Sequence, residues 1–405
     1  MVSEPTTAQA TAAPRFNMLP LVFETFACTL AMMSFVALVG PIARVLGLAP
    51  WQAGVTVTVG GIAWVLLARF WGAASDRRGR RVVLLRGLGG FVLSYLLLCL
   101  FVVLALRWLP APWLAFVGVV LLRGIAGGFY AAVPTVGAAL VADHVEPQQR
   151  AQAMAGLGAA SAVGMVVGPG LAGLLAAYGL ELPLVLTALL PLAALLVMWR
   201  WLPHDERPHV QNTPPLRLTD PRVRRPLVLG FAAMFSVTIA QVAVGFFALD
   251  QLRLDANGAA RAAGIALTAV GVALILAQLL LRRLDWPPQR LILIGGLVSA
   301  LGFAAVILAD SAPLLWAAYF VAAAGMGWVF PSVSALTANA VQADEQGSAA
   351  GTLAAAHGVG MIVGPLVGTL VYELHPGAPF LLIAALLVLC VLWPSRAAPL
   401  AERAA

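Results

Sequence analysis

Twelve apolar runs, each about as long as a bilayer is thick, follow one another along this chain with little between them. About 20 apolar residues are needed for a helix to cross the hydrocarbon core. Cutting at charges, prolines and turn residues places the first six at Leu19–Ala43, Trp51–Ala74, Val82–Leu106, Trp113–Val141, Ala151–Tyr178 and Pro183–Trp201. The second six fall at Pro226–Leu249, Ala262–Leu281, Leu291–Leu308, Leu314–Val341, Ser348–Tyr372 and Pro379–Trp393. The fourth and tenth look long enough to tilt or to project into water. Charged residues make up 10% of the chain and hydrophobic ones 61%. Soluble domains carry roughly 25% charge, so the excess apolar surface here needs lipid. The expected fold is an all-α integral membrane protein.

The run VGMVVGP, Val163 to Pro169, returns as VGMIVGP, Val359 to Pro365, close to half the chain later. The two copies lie in the fifth and eleventh runs. The chain therefore reads as two pseudo-symmetric six-helix halves, and repeats of this kind place a substrate path between the halves. A proline-rich stretch with Pro203, Pro208, Pro214, Pro215 and Pro221 separates them and favours an extended connection. The expected organisation is a tail (1–18), a first bundle (19–201), a linker (202–225), a second bundle (226–393) and a second tail (394–405). The first 16 residues lack the basic start and cleavage site of a signal peptide and read as a retained tail.

Arginine placement orients the bundle. Arg77, Arg78, Arg80, Arg81 and Arg86 follow the second run; Arg207, Arg217, Arg222, Arg224 and Arg225 fill the central segment; Arg282, Arg283 and Arg290 follow the eighth. The alternate connections hold only Arg44, Arg107, Arg253 and Arg261. The positive-inside rule puts both termini and the linker in the cytoplasm. The net charge of +7 is thus a topology signal scattered between apolar spans, not a nucleic-acid footprint. All 24 basic residues are arginine, which excludes a Walker-type loop and lysine Schiff-base chemistry. Cys28, Cys99 and Cys390 all sit inside apolar runs without metal-ligand spacing. There is no HExxH or GxSxG, so no enzyme, metal site or cofactor is expected.

Three motifs carry a resemblance. GAASDRRGRR runs from Gly72 to Arg81, Arg123 precedes Gly127 by four, and GMVVGPGLAG runs from Gly164 to Gly173. With the twelve runs, these resemble the major facilitator superfamily, and within it the twelve-helix drug:proton antiporters. The third motif, with Gly164, Gly168, Pro169 and Gly173, is associated there with exporters; its second copy holds Gly360, Gly364 and Pro365. In the first motif, Gly79 permits a tight turn, while Arg77 and Arg81 anchor it to the cytoplasmic side. Asp76 can meet the positive end of a helix dipole, which the resemblance implies belongs to the eleventh helix. Arg80 can pair with Asp143. Together these contacts would form a latch that holds an outward-open state. In the third motif, small residues allow close helix approach and proline allows a bend, as a gate between rocking halves requires.

Ionisable groups deep in a membrane cost at least ~2.5 kcal/mol on insertion scales and are default functional candidates. Glu24 lies several residues into the first run, Arg123 near the middle of the fourth, and His357 well into the eleventh, where the first copy has Ser161. Glu24 is the expected proton-titrating carboxylate, with Arg123 nearby opposing the effect of burial and His357 as a further candidate. The second half has no membrane-embedded carboxylate away from helix ends. Asp250 reads as a solvated end residue. Trp64, Tyr130, Gln241, Gln278, Tyr319, Trp328 and Asn339 are candidates to face a central cavity. So few fixed charges suit a modest amphipathic solute.

The resemblance implies a proton-coupled exporter of a drug, metabolite or siderophore, with the proton as coupling ion, in a bacterial inner membrane, surrounded by lipid and monomeric. An uptake permease of the same fold is the alternative, since fold does not fix direction; a membrane enzyme or sensor is disfavoured.

Overall fold

The structure, a computed structural model, describes residues 16–202, 220–281, 283, 286–342 and 345–393. Most of the first tail, all of the second and most of the linker, with Arg207 and Arg217, lie outside the described residues, as does Arg282. The first half holds α1 (Leu19–Val45), α2 (Pro50–Arg78), α3 (Arg80–Trp108), α4 (Pro112–His144), α5 (Pro147–Leu175) and α6 (Glu181–Trp201). The second half holds α7 (Arg224–Asp250), α8 (Ala256–Leu281), α9 (Pro288–Val306), α10 (Ala312–Asn339), α11 (Gln346–Tyr372) and α12 (Ala378–Leu392). Eleven of these are long and apolar enough to cross a membrane; α12, with 15 residues, spans about 22 Å at 1.5 Å per residue.

Helix ends differ from the hydropathy limits in an informative way. Apolarity marks the edge of the hydrocarbon, whereas the backbone goes on hydrogen bonding into the aqueous layer. Thus α2 runs on to Arg78, and most of the GAASDRRGRR segment is helix rather than loop. The whole turn into α3 is Gly79, whose φ of 87° suits a residue without a Cβ. The fourth span is not one regular helix. It divides at Ala131 into Pro112–Tyr130 and Ala132–His144, because Pro134 lacks the N–H that the Tyr130 carbonyl would accept. Prolines also start α2, α5 and α9, where the first turn has no use for an amide proton.

α1 and α7 are the axial pair. Over their most apolar windows they are 89% and 72% buried, against 28% for α2 and 33% for α8. Each is wrapped by the repeated element of its own half. Added Cβ atoms at Gly164 and Gly168 would lie 2.9 Å and 2.6 Å from the Phe26 and Leu30 carbonyls of α1. At Gly360 and Gly364 they would lie 2.8 Å and 3.0 Å from the Phe231 and Phe235 carbonyls of α7. The sequence repeat is therefore first a packing device, allowing backbone to lie on backbone within each half.

One face of the bundle gathers the arginine-rich connections and is called the basic face; the other is called the distal face. On the basic face Arg81 donates to the backbone carbonyls of Trp199 and Leu202, tying the start of α3 to the end of α6. In the second half Arg222 bridges Asp220 and Glu345 at 2.8 Å each. Those hydrogen bonds hold both carboxyls below their ordinary pKa range. A lowered carboxylate pKa means that the tie is fully present above the ordinary range and is lost as the pH falls through the lowered values. Limited proteolysis of the segment before α7 is accordingly expected to speed up only under distinctly acidic conditions, and an equal rate at neutral and acid pH would contradict it.

Candidate functional site

The halves meet along three seams, all in the distal portion of the helices. At the α5–α8 seam a Cβ on Gly264 would lie 2.5 Å from the Gly173 Cα and 2.6 Å from the Pro169 carbonyl. At the α2–α11 seam a Cβ on Gly54 would lie 2.0 Å from the Thr369 hydroxyl and 2.7 Å from the Pro365 carbonyl. The two repeated prolines therefore present equivalent carbonyls to a glycine of the opposite half. Thr58 adds a hydrogen bond to the Ile362 carbonyl, 2.8 Å. At the α1–α7 seam Gly40 lies against the Phe246 amide.

A polar clasp closes the distal end of these seams. Arg44 of α1 donates to both carboxylate oxygens of Asp250 of α7, at 2.5 and 2.7 Å, and the Tyr372 hydroxyl of α11 donates to the same carboxylate at 2.9 Å. The Trp51 amide of α2 donates to Glu373 at 3.5 Å. Among the described residues, Arg44–Asp250 is the one salt bridge that joins the halves. Asp250 is therefore not the solvated end residue that the sequence suggests; its partner sits on a helix far away in sequence.

Toward the basic face the helices separate. Cβ atoms built on Gly156 and Gly158 of α5 and on Gly351 of α11 would meet nothing within 4 Å. Among the described residues, the contacts of Arg80 in the latch stay within its own half. Arg80 bonds Asp143 at 2.8 Å, Ser75 at 2.7 Å and Asp76. Among the described residues, Asp76 is thus turned to Arg80 across Gly79. Arg77 is exposed, and Gly72 packs against Thr135.

Between the seams and the basic face lies a cavity of about 470 Å³ lined by α5, α7, α8, α9 and α10. Gln241 and Gln278 supply its amides. Tyr319 also lines it, but its hydroxyl is committed to the Ala240 carbonyl at 2.8 Å. Met165, Met234 and Met326 and Phe330 make up much of the apolar wall. Sequence reasoning missed these, because a methionine facing a cavity and one facing lipid have the same hydropathy. The other cavity candidates stand elsewhere. Trp328 donates to the Ala277 carbonyl, fastening α10 to α8, and Asn339 is exposed at the end of α10. Tyr130 shares a hydrogen bond with Thr29, 3.2 Å, and packs against Phe91. The Trp64 indole N–H is buried without a partner among the described residues.

The ionisable candidates are separated from one another. Both carboxylate oxygens of Glu24 are buried and lack a hydrogen-bond partner among the described residues; Cys28 and Tyr130 are its polar neighbours. Arg123 does not meet it. Its guanidinium donates to the Met32 sulfur and lies 5.3 Å from the centre of the Phe35 ring. Met32 is eight residues beyond Glu24 on α1, about 12 Å along the axis, so the expected proximity of the two charges is absent in this conformation. His357 packs edge-on to Phe330, 5.8 Å between centroids, and its Nε2 is buried without a partner among the described residues. A cavity wall therefore stands between His357 and the lined space.

Comparison with known proteins agrees with this architecture. The Major Facilitator Superfamily profile matches residues 21–260 and 227–404. A class G tetracycline resistance protein of Vibrio anguillarum is 28% identical over 80% of this chain and 81% of its own length. The class C tetracycline resistance protein of Escherichia coli is 28% identical over 84% and 85%. Among solved structures, the human organic anion transporter TETRAN superposes with a TM-score of 0.64 at 20% identity over 92% of this chain and 97% of its own. An inward-facing bacterial homologue of the lysosomal transporter Spinster gives 0.68 at 13% identity over 92% and 94%. With both halves matched, an all-helical two-bundle architecture and these relatives, the chain belongs to the major facilitator superfamily: it is an integral membrane transporter, not an enzyme.

Proposed function

We propose that the protein exports a small amphipathic organic molecule in exchange for protons, by alternating access, with the basic face in the cytoplasm. The cavity is the observation that carries this reading. Its volume suits a drug-sized molecule, and ligand sites of this kind are mostly apolar with a few placed polar groups. Its wall offers two amides and methionine-rich surface, which adapts to varied shapes. It lacks the cluster of basic groups that a sugar phosphate would need. A multi-drug resistance efflux pump PmrA homologue of Lactococcus lactis, 24% identical over 78% of this chain and 77% of its own length, supports the direction, and the separation of the helices at the basic face suits loading from the cytoplasm.

The coupling group in this proposal is Glu24. A buried carboxylate with no partner is costly when ionised, so a proton bound there is held or released according to whether water reaches it. Glu24 sits about 8 Å inside α1 from the basic face, on the side where the halves separate. Arg123 sets a guanidinium against the Met32 sulfur and the Phe35 ring, and His357 is a second protonatable group. Glu24→Gln is expected to keep downhill exchange of the cargo and to lose uphill export, because the amide cannot carry the proton. Equal uphill export by the variant and the parent would remove Glu24 from the coupling path.

The test of the whole reading is proton release from inverted vesicles with an imposed pH gradient, followed by a pH probe. The panel holds tetracycline, fluorescent organic cations and a siderophore. Compound-dependent proton release that disappears in Arg123→Ala is the expected result. No proton movement, together with accumulation of a compound by whole cells, would replace export with uptake.

A further inference from the structure

The cavity is not confined to the space between the halves. On α5, Met154, Gly158, Ala162 and Met165 recur along one flank and are exposed, whereas Pro169 and Ala172, farther along that flank, are buried. A flank buried where the seams close and exposed where they separate faces the interior. Val163, Val167 and Leu174 lie on the opposite flank at 50, 40 and 60% exposure. Leu174 keeps its exposure beside the closed seam, so this flank faces lipid. Between the two runs the stripe of Val166, Gly170 and Gly173 that touches α8.

The cavity is lined by residues from both flanks, Ala162 and Met165 from the interior and Val163 and Val167 from the lipid side. A space that touches both sides of a helix must pass around it. It does so on the basic side of the Val166–Gly271 contact, where Ile275 of α8, 58% exposed, forms the opposite edge and Gln278 the next turn inward. The edges are wholly apolar, and the first hydrogen-bonding groups met on the way in are the Gln278 and Gln241 amides.

We propose that this gap is a lateral portal through which a membrane-dissolved amphipathic substrate passes from the leaflet on the basic side into the cavity without first entering water. The portal selects molecules with neutral hydrogen-bonding groups on an apolar frame: hydrocarbon solvates the frame during entry, and the amides engage it only inside. As a substrate route it rests on the transport reading above; as an opening to acyl chains it does not.

The two parts separate experimentally. In the full-length chain carrying Cys28→Ser, Cys99→Ser and Cys390→Ser, a fluorophore is attached at Met165→Cys, and in a parallel sample at Leu174→Cys as a lipid-facing control. Each is placed in nanodiscs of phosphatidylcholine brominated midway along its acyl chains. Quenching at both positions is expected, and Ile275→Trp is expected to abolish it at Met165→Cys while leaving Leu174→Cys quenched. Quenching of the Met165→Cys label by aqueous iodide alone would show that no portal exists. In transport assays Ile275→Trp is expected to lose export of a dye supplied within the membrane while retaining that of a water-soluble substrate. Unchanged export of the membrane-supplied dye would overturn the route. If the parent protein exports none of the compounds, the transport reading fails, and the bromine quenching still decides whether the gap opens to lipid.

Discussion

Gly264→Leu and Gly54→Leu are each expected to lower transport about tenfold or more, through the conformational equilibrium and not through the cavity. Neither position lines that cavity. Each faces a carbonyl of the opposite half at a distance no Cβ can occupy, 2.6 Å from Pro169 and 2.7 Å from Pro365 respectively. Backbone cannot yield there as the tip of a flexible side chain could, so the added side chain must part the seam. Overpacking of this kind costs ~1–3 kcal/mol. Applied to one of two alternating states, that penalty changes their ratio by about 5- to 150-fold, in favour of the state open at the distal face. A cysteine placed at Thr268 or Thr369 is expected to react faster with a membrane-impermeant thiosulfonate from the distal side in these variants. The two seams share no residue, so the penalties of the double variant should add. Gly156→Leu is the control: its Cβ meets nothing, and its transport should match the parent's. A parent-like rate for Gly264→Leu with unchanged Thr268→Cys reactivity would mean that the seam does not close this tightly during the cycle.

What could be read from the sequence divides along a physical line. Span number, the division into halves and the basic-face arginines follow from hydropathy and charge, which depend on each residue alone. The VGMVVGP repeat lies on two helices that meet the opposite half, but its glycines settle onto the axial helix of the same half, while Val166, Ile362 and the proline carbonyls face across. That distinction depends on helix phase within the assembled bundle. The break at Ala131 follows from Pro134, a signal that hydropathy does not register because the surrounding run is uniformly apolar. The sequence suggests Arg123 near Glu24, but the helix register sets it beside Met32 and Phe35. Of the seven cavity candidates, Gln241, Gln278 and Tyr319 line the space. Trp328 and Tyr130 have instead used their polar atoms to fasten neighbouring helices, a choice made by tertiary partners and not by residue type.

The clasp on the distal face is the clearest case of a residue whose role exists only in three dimensions, and Arg44→Glu is expected to open that face. The substitution puts two carboxylates where a bidentate pair stood, while Tyr372 continues to donate to Asp250. Exposed ion pairs are worth ~0.2–1 kcal/mol, and the Arg44 and Asp250 side chains are 47% and 28% exposed. The bidentate geometry and the shared phenol raise the value, since hydrogen bonds to charged groups contribute ~1.5–3 kcal/mol. A loss of about 1–2 kcal/mol on removing the pair, with like-charge repulsion added, shifts the two-state ratio at least roughly tenfold. The reversed pair, Arg44→Glu with Asp250→Arg, restores the attraction across the same seam but leaves the Tyr372 hydroxyl facing a cation. Recovery should therefore be partial, and Tyr372→Phe should erase the difference between the reversed pair and the parent. Distal-side reactivity of Thr369→Cys in these backgrounds measures the opening directly. If Arg44→Glu reacted no faster than the parent while the protein remained folded, the three glycine-lined seams alone would hold the distal face shut.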